Sequence, residues 1–415
     1  MNTKVYVGMS GGVDSSLSAA LLQEQGYDVT GVYMKNWTQD LPGMQCPWAE
    51  DLADAKRVAV QLGIDFKVFD FENEYKHKVV DYMIDEYSRG RTPNPDIMCN
   101  QEVKFKLFLD AALEDGADVI ATGHYARVKN AVSLANSAEA TDVFSKQISP
   151  RQDPSPPRSL SAAKLALLRQ PSPIQEQADE GSGSLDIVSS NTSVASAAGV
   201  LMRAADEAKD QTYFLYRVTG QALGKTIFPL GDLTKTQVRD MAKTRGLFTA
   251  GKKDSQGICF VGKIGIRDFL SQYVQQKPGE VIDKKTGRVL GHHDGAIFYT
   301  LGQRHGLDIG GGLPYYVVGK DMAKNAVYVT TDLNDESLWR REIALDSIHW
   351  INQTPPAGTY QVRVRHRAPL IDADLAYQND QITLKLKNDQ RGITAGQSVV
   401  IYDDIVCLGG GVVTF

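Results

Sequence analysis

The stretch KVYVGMSGGVDSS, residues 4–16, decides the reading of the fold. Residues 4–9 read as a buried strand, since valine and tyrosine suit a pleated, covered surface. Leu17 to Gln25 reads as a helix that stops at Gly26. The glycine-rich turn between them completes a strand–turn–helix unit, and the pattern recurs downstream. Residues 29–34 (VTGVYM) read as a second strand. Trp48 to Leu62 has helical periodicity and ends at Gly63, and residues 66–71 (FKVFDF) read as a third strand. Asn73 to Arg89 and Glu102 to Leu113 read as helices, and residues 118–122 as a further strand. Strands alternating with helices predict an α/β fold with a doubly wound, mostly parallel sheet.

The pattern breaks over residues 131–200, which are rich in Ser, Ala, Pro and Gln. Such a segment cannot bury enough apolar surface to offset its ordering entropy. It reads as a disordered insertion with a short helix around Ala162 to Leu168. Regular structure is expected to resume near 209–218 (KDQTYFLYRV). Thr234 with Gln237 fits a capping box that starts a helix running to Arg245. From about 340 the chain alternates apolar and polar residues in YQVRVRHR, QITLKLKN and QSVVIYDDIVCLGGGVV, which predicts a small barrel. The expected organisation is a first domain over 1–263, a small central domain over 264–335 and a C-terminal β-barrel over 336–415.

Composition narrows the function classes. The net charge of −5 argues against a surface that binds nucleic acid everywhere and leaves room for local basic patches. The four cysteines, Cys46, Cys99, Cys259 and Cys407, form no CxxC pair, which argues against a zinc or iron–sulfur site. Each is a core residue or a reactive thiol. No long apolar run and no basic-then-apolar leader occur, so a cytoplasmic protein with no membrane partner is expected.

Ser10-Gly11-Gly12-Val13-Asp14-Ser15 carries the first chemistry. Gly11 and Gly12 let backbone amides approach phosphates, and the helix that follows offers its positive end. Ser10 and Ser15 add hydroxyl donors. Asp14 can hold Mg²⁺ or orient the loop. No GK[ST] follows, so this is not a Walker A loop. The motif resembles that of the PP-loop ATP pyrophosphatases, which implies cleavage of ATP between its α- and β-phosphates to activate a carbonyl oxygen.

The second signal is Pro93-Asn94-Pro95-Asp96-Ile97-Met98-Cys99-Asn100. The prolines fix an extended turn ahead of a helix, and Cys99 near that helix's start is favoured as a thiolate. Asp96 is placed to move a proton. The third signal is KKDSQGICF, residues 252–260, in which Lys252 and Lys253 give Cys259 an electropositive setting. In isolation Cys99 and Cys259 read as core residues, and Asp96 as a helix cap.

These motifs occur in order with MKNW (34–37), VKFK (103–106), ATGHYAR (121–127), KDQTYFLY (209–216), TLGQR (300–304) and CLGGG (407–411). The ordered set resembles the bacterial tRNA-specific 2-thiouridylases across nearly the whole chain except 131–200. The resemblance implies a tRNA-uridine 2-sulfurtransferase acting on wobble position 34, with ATP and Mg²⁺ as cofactors. Its partners would be tRNA and a persulfide-carrying sulfur donor, a cysteine desulfurase or a relay protein. Gly8, Met9, Ser10, Gly11, Gly12, Val13, Asp14 and Ser15 would hold the phosphates of ATP. Met34 and Gly123 would line the adenosine site. Cys259 would receive the persulfide, Cys99 would be its partner, and Asp96 the acid/base. Asn94, Pro95 and Asp96 would surround the flipped base. His124, Lys209, Asp210, Gln211, Arg365, His366 and Gln397 would contact tRNA. Gln256 stands where a small threonine is expected in many relatives.

In the C-terminal region, Arg363, Arg365 and Arg367 alternate with Val362 and Val364. On a strand this puts three arginines on one face, a basic strip suited to RNA phosphates. A PP-loop amide-forming synthetase and a non-catalytic RNA-binding protein are the competing readings. The former would not need both cysteines, and the latter would not need an intact SGGVDS.

Overall fold

The first sheet is wholly parallel. Its strands are β1 (Lys4–Gly8), β2 (Asp28–Lys35), β3 (Asp65–Asp70), β4 (Val119–Thr122) and, after the β5 and β6 pair described below, β7 (Thr226–Ile227), in the order β3-β2-β1-β4-β7. In this computed structural model residues 2–40, 46–130, 198–253 and 265–414 are described, apart from positions 308, 311, 313, 379 and 380. Alternate residues of the central strands face opposite layers, as a doubly covered sheet requires. Tyr6, Val32, Met34 and Ile120 pack under the helices that follow β3. Val5, Val7, Val29, Tyr33 and Ala121 pack under the helices that follow β1 and β2.

The helix after β1 spans Val13–Glu24, four residues earlier than the periodicity marks. Ser15, Ser16 and Ser18 mask the apolar pattern there, although all three are buried. The helix Trp48–Leu62 lies where expected and ends on Gly63 in the left-handed region. The segment after β3 is one continuous rod of Glu72–Tyr75, a π-helical turn over Lys76–Val80, and Asp81–Ser88. The next rod begins at Pro95–Met98, continues as π-helix over Cys99–Leu107 and ends as Phe108–Glu114. It therefore starts well before Glu102, because the Asn94 side chain accepts from the amides of Asp96 and Ile97 while Pro95 occupies the first helical position.

Among the described residues, the first strand after 130 is at Gly199, earlier than the 209 expected. β5 (Arg127–Asn130) and β6 (Gly199–Met202) pair antiparallel, with Arg127 opposite Met202 and Asn130 opposite Gly199. The insertion thus leaves from the end of a two-stranded ladder, and the short helix expected around 162–168 lies outside the described residues. β6 pairs onward with the C-terminal strand β17 (Val406–Thr414), so this ladder extends the barrel sheet.

The central region folds as β8 (Gly279–Asp283), β9 (Val289–His293), β10 (Tyr316–Asp321) and β11 (Ala326–Thr330), in the order β10-β11-β8-β9. The C-terminal strands are β12 (Trp339–Trp350), β13 (Gly358–Arg363), β14 (Ile371–Gln378), β15 (Gln381–Arg391), β16 (Ser398–Asp403) and β17 (Val406–Thr414). They run β12-β15-β14-β13-β16-β17, and β12 also pairs with β17, which closes a six-stranded barrel. Closure removes the edges that would otherwise invite aggregation. Its interior holds Val362, Leu375, Leu384, Val399 and Ile401.

Candidate active site and RNA-facing surface

The PP-loop turns at the C-terminal edge of β1. Gly11 has φ +70°, and a β-carbon on it would lie 2.5 Å from the Asp51 carbonyl oxygen, so only glycine fits. Gly12 caps the helix without a side-chain cap, which leaves the first-turn amides pointing into the loop. Ser15 Oγ accepts from the Ser10 amide at 3.1 Å and lies 3.3 Å from Ser10 Oγ, so the two hydroxyls flank those amides. Gly123, at the end of β4, abuts the loop. A β-carbon there would sit 2.8 Å from Asp14 C and Ser15 N. Met34 is buried with its methyl against Gly8. The residues expected to hold ATP thus meet on one sheet edge, where open α/β sheets bind ligands.

Asp14 is engaged. Its Oδ1 accepts from Tyr125 Oη at 2.9 Å and from Lys235 Nζ at 2.8 Å, and its Oδ2 accepts from Lys235 at 2.9 Å. Neither Tyr125 nor Lys235 was assigned a role from sequence. Tyr125 is an unassigned residue of ATGHYAR, and Lys235 directly follows the capping Thr234, whose box with Gln237 is present.

The rod carrying Asp96 and Cys99 packs on this same edge. Phe105 lies 5.6 Å from His124 between ring centroids, and Phe108 contacts the Gly8 position. Cys99 is six residues before Phe105, at the start of the same π-helical stretch. Cys99 lies past the open first-turn amides. Its own amide donates to Pro95 O and Asp96 O, and its side chain is fully buried. Cys259 lies outside the described residues, as does Gln256. Lys252, expected to make Cys259's surroundings positive, is instead paired with Asp51 at 2.9 Å and Asp54 at 2.7 Å, so its charge is compensated. Cys46 and Cys407 are core thiols, and burial pushes Cys407 well up.

Sequence-distant segments converge beside the Asn94–Asp96 turn. The Thr92 amide donates to Ala395 O at 2.9 Å, and Thr92 Oγ1 lies 3.5 Å from Thr300 Oγ1 of TLGQR. The barrel loop 392–397 therefore reaches the turn that precedes Asn94. Arg365 donates to the Arg391 carbonyl, and Gln397 Nε2 donates to the Val364 carbonyl. His366 stacks on Phe214 at 4.3 Å, and the Phe214 carbonyl accepts from Asn100 Nδ2 at 3.1 Å.

The expected face of three arginines does not form. β13 ends at Arg363, which is 5% exposed and donates to Asp210 Oδ2 at 2.7 Å. Arg365 and Arg367 lie in the following bend, with Arg367 at φ +61°. Both flanks of the strand end are covered, by the barrel interior and by the 204–212 segment, so alternation no longer means alternation of exposure. Asp210 is 1% exposed and also accepts from Thr212 and the Ala204 amide. Gln211 Oε1 accepts from the Tyr125 amide at 2.8 Å. His124 is buried between Phe105 and Phe228, and burial holds its pKa well below the ordinary 6.5.

Comparison with known proteins follows this division of the chain. Residues 3–154 and 188–263 match the family described as tRNA methyl transferase HUP domain, 267–331 its PRC-barrel domain, and 340–413 the aminomethyltransferase beta-barrel domain. A Methylobacillus flagellatus protein named tRNA-specific 2-thiouridylase MnmA is 40% identical over 100% of this chain and 99% of its own. The chain belongs to the tRNA-specific 2-thiouridylase family. Relatives of the same name from Legionella pneumophila (42% identical, 100% of this chain, 99% of theirs) and Bacillus cytotoxicus (40%, 99% and 94%) agree.

In this family member His366 is neutral at ordinary pH. Burial, then Arg367 and Arg363, push it down from 6.5 to about 4. Its Nδ1 is buried with no hydrogen-bond partner. A histidine depressed in the fold contributes stability that is complete above pH 6.5 and is lost as pH falls through about 4. Acidification across that window should therefore lower the melting temperature of the wild type more steeply than that of His366→Phe. Equal slopes in parallel thermal melts would remove His366 from this role.

Proposed function

We propose that the protein is an ATP-dependent tRNA-uridine 2-sulfurtransferase that replaces the C2 oxygen of the wobble uridine with sulfur. One observation carries the reading. The rod bearing Asp96 and Cys99 packs through Phe105 and Phe108 onto the sheet edge that holds the PP-loop, Met34 and Gly123. A carbonyl-activating nucleotide site and a cysteine thus share one neighbourhood. The matched domain descriptions speak of methyl transfer, whereas the relatives' names speak of thiolation. A PP-loop with paired cysteines suits the second chemistry.

In this reading ATP binds through residues 8–15, Met34 and Gly123, and the uridine O2 attacks the α-phosphate with release of pyrophosphate. The base must leave the anticodon stack to reach the site, and Asn94, Pro95 and Asp96 receive it. The terminal sulfur of a Cys259 persulfide attacks C2, with Asp96 managing the proton. Cys99 thiolate then attacks Cys259 Sγ, the sulfur–sulfur bond breaks, and its electrons stay with the sulfur on C2. AMP leaves with the original oxygen. The sulfane sulfur is reduced and the two cysteines are oxidised to a Cys99–Cys259 disulfide, which a cellular thiol reductant resets. Because Cys99 is buried in the free protein, tRNA binding must open its surroundings.

Magnesium enters as the counter-ion of the phosphates. Among the described residues no group of three or more His, Cys, Asp or Glu could hold a metal. The Lys235 and Tyr125 bonds favour Asp14 as the residue that orients the loop over Asp14 as the metal ligand. tRNA contact falls to Arg365, His366, Gln397, Lys209 and Gln211. Asp210 and His124 support that surface from beneath. The sulfur donor is a persulfide-carrying protein, and the reaction belongs in the cytoplasm. No helix among the described residues is long and apolar enough to cross a membrane. The domains are proposed as 1–263, 264–335 and 336–415.

The test incubates unmodified tRNA with the protein, ATP, Mg²⁺ and a persulfide donor, followed by nucleoside mass spectrometry. 2-Thiouridine at position 34 is expected, dependent on ATP. Bound tRNA that gains no sulfur and supports no ATP–pyrophosphate exchange would leave a binding protein.

A further inference from the structure

Lys235 occupies the mouth of the phosphate cradle. Its Nζ lies 2.8 and 2.9 Å from the two carboxylate oxygens of Asp14, the second residue of the PP-loop helix. Its side chain is 13% exposed and lies over the Tyr125 ring, 5.8 Å from the centroid. The root of the side chain is fixed. Thr234 and Gln237 form a capping box, and the Lys235 amide donates to Asp206 Oδ2 at 2.9 Å. Lysine 235 therefore points at the loop from a helix start that cannot easily shift.

The charge balance of the cradle gives this contact a purpose. The loop offers amides and hydroxyls but no lysine of its own, and it carries the Asp14 carboxylate. A nucleoside triphosphate brings several negative charges to a site that already holds one. Among the described residues, Lys252, whose partner Asp51 lies beside Gly11, is committed to Asp51 and Asp54. Lys235, by contrast, is paired with a carboxylate of the loop itself. Asp14 keeps 32% of its side chain exposed, so the pair stands at the open side of the cradle rather than in the core.

We propose that Lys235 is the phosphate-binding cation of this site, held at the cradle by Asp14 until the triphosphate arrives. Its ammonium exchanges a carboxylate hydrogen bond for phosphate oxygens, while Asp14 retains the Tyr125 hydroxyl. Since the Tyr125 amide donates to Gln211, the segment proposed to meet tRNA is joined by two hydrogen bonds to the residue that positions Lys235. The proposal rests on ATP binding at the PP-loop.

The test compares ATP with adenosine, which lacks phosphate, by calorimetric titration of the full chain. Lys235→Met should weaken ATP by about tenfold or more and leave adenosine unchanged, with Lys235→Arg recovering to within about threefold. Should the methionine variant not fold, Lys235→Gln carries the same comparison. Unchanged ATP affinity overturns the proposal, and so does equal weakening of ATP and adenosine, which marks a structural ion pair. A wild type that binds adenosine but not ATP removes the phosphate role of the PP-loop itself, and Lys235 with it.

Discussion

Cys259→Ser should abolish 2-thiouridine formation, by at least about 10³-fold, because removing a covalent nucleophile leaves only binding and electrostatic contributions. The same variant should retain tRNA-dependent ATP–pyrophosphate exchange, since in the proposed mechanism the uridine O2 attacks the α-phosphate without either cysteine. Cys99→Ser should lose product to the same extent, yet still accept sulfur on Cys259. Labelled sulfur from the donor should remain attached to that variant on a non-reducing gel. The pair thus separates loading from release. Exchange that fails in both variants would place the cysteines in adenylation. Product at wild-type speed in Cys259→Ser, with a protein donor and no free sulfide, would sink the persulfide role. Burial of Cys99 adds a second readout: its alkylation, followed by mass spectrometry, should be slow in the free protein and faster with tRNA and ATP present.

Local pattern made most of the sheet legible. Residues 66–71 and 118–122 fell within one residue of β3 and β4, because short runs of aromatic and β-branched residues bounded by glycine or acidic turns favour strand. The capping box at Thr234 was equally plain, being a contact between residues three apart. What stayed hidden was long-range. Nothing in VRVRHR distinguishes an arginine facing RNA from one facing a buried aspartate. That depends on Asp210, which is 153 residues away. Lys235 reads as an ordinary first-turn residue until the fold brings it to Asp14, 221 residues earlier. Serine at three buried positions of the first helix hid its start, because their hydroxyls bond back to carbonyls four residues before, or to Gly12 O. The site was legible as motifs, and its electrostatic wiring was not.

Arg363→Met should cost about 3–5 kcal/mol, because it leaves the Asp210 carboxylate buried without its cation. The pair is dry, with Asp210 fully buried and Arg363 6% exposed at the side chain, and joins the 204–212 segment to the barrel. A fall of at least about 12 °C in the barrel's thermal transition corresponds to that loss. Asp210→Asn with Arg363→Met removes both charges and should recover much of it, since replacing a buried pair whole is often close to neutral. A double variant as unstable as the single one would show that the guanidinium's other contacts, such as its place over the Tyr402 ring, matter more than its pairing with Asp210. The functional consequence separates the two halves of the site. Asp210 lies beside Gln211, which grips Tyr125, while the barrel supplies Arg365, His366 and Gln397. Loosening this joint should raise the KM for tRNA more than it weakens ATP, because the PP-loop amides and Gly123 sit on the parallel sheet and only Lys235 and Tyr125 reach the joint, through Asp206 and Gln211. ATP affinity that falls in step with tRNA affinity would instead mean that the barrel holds the nucleotide site together.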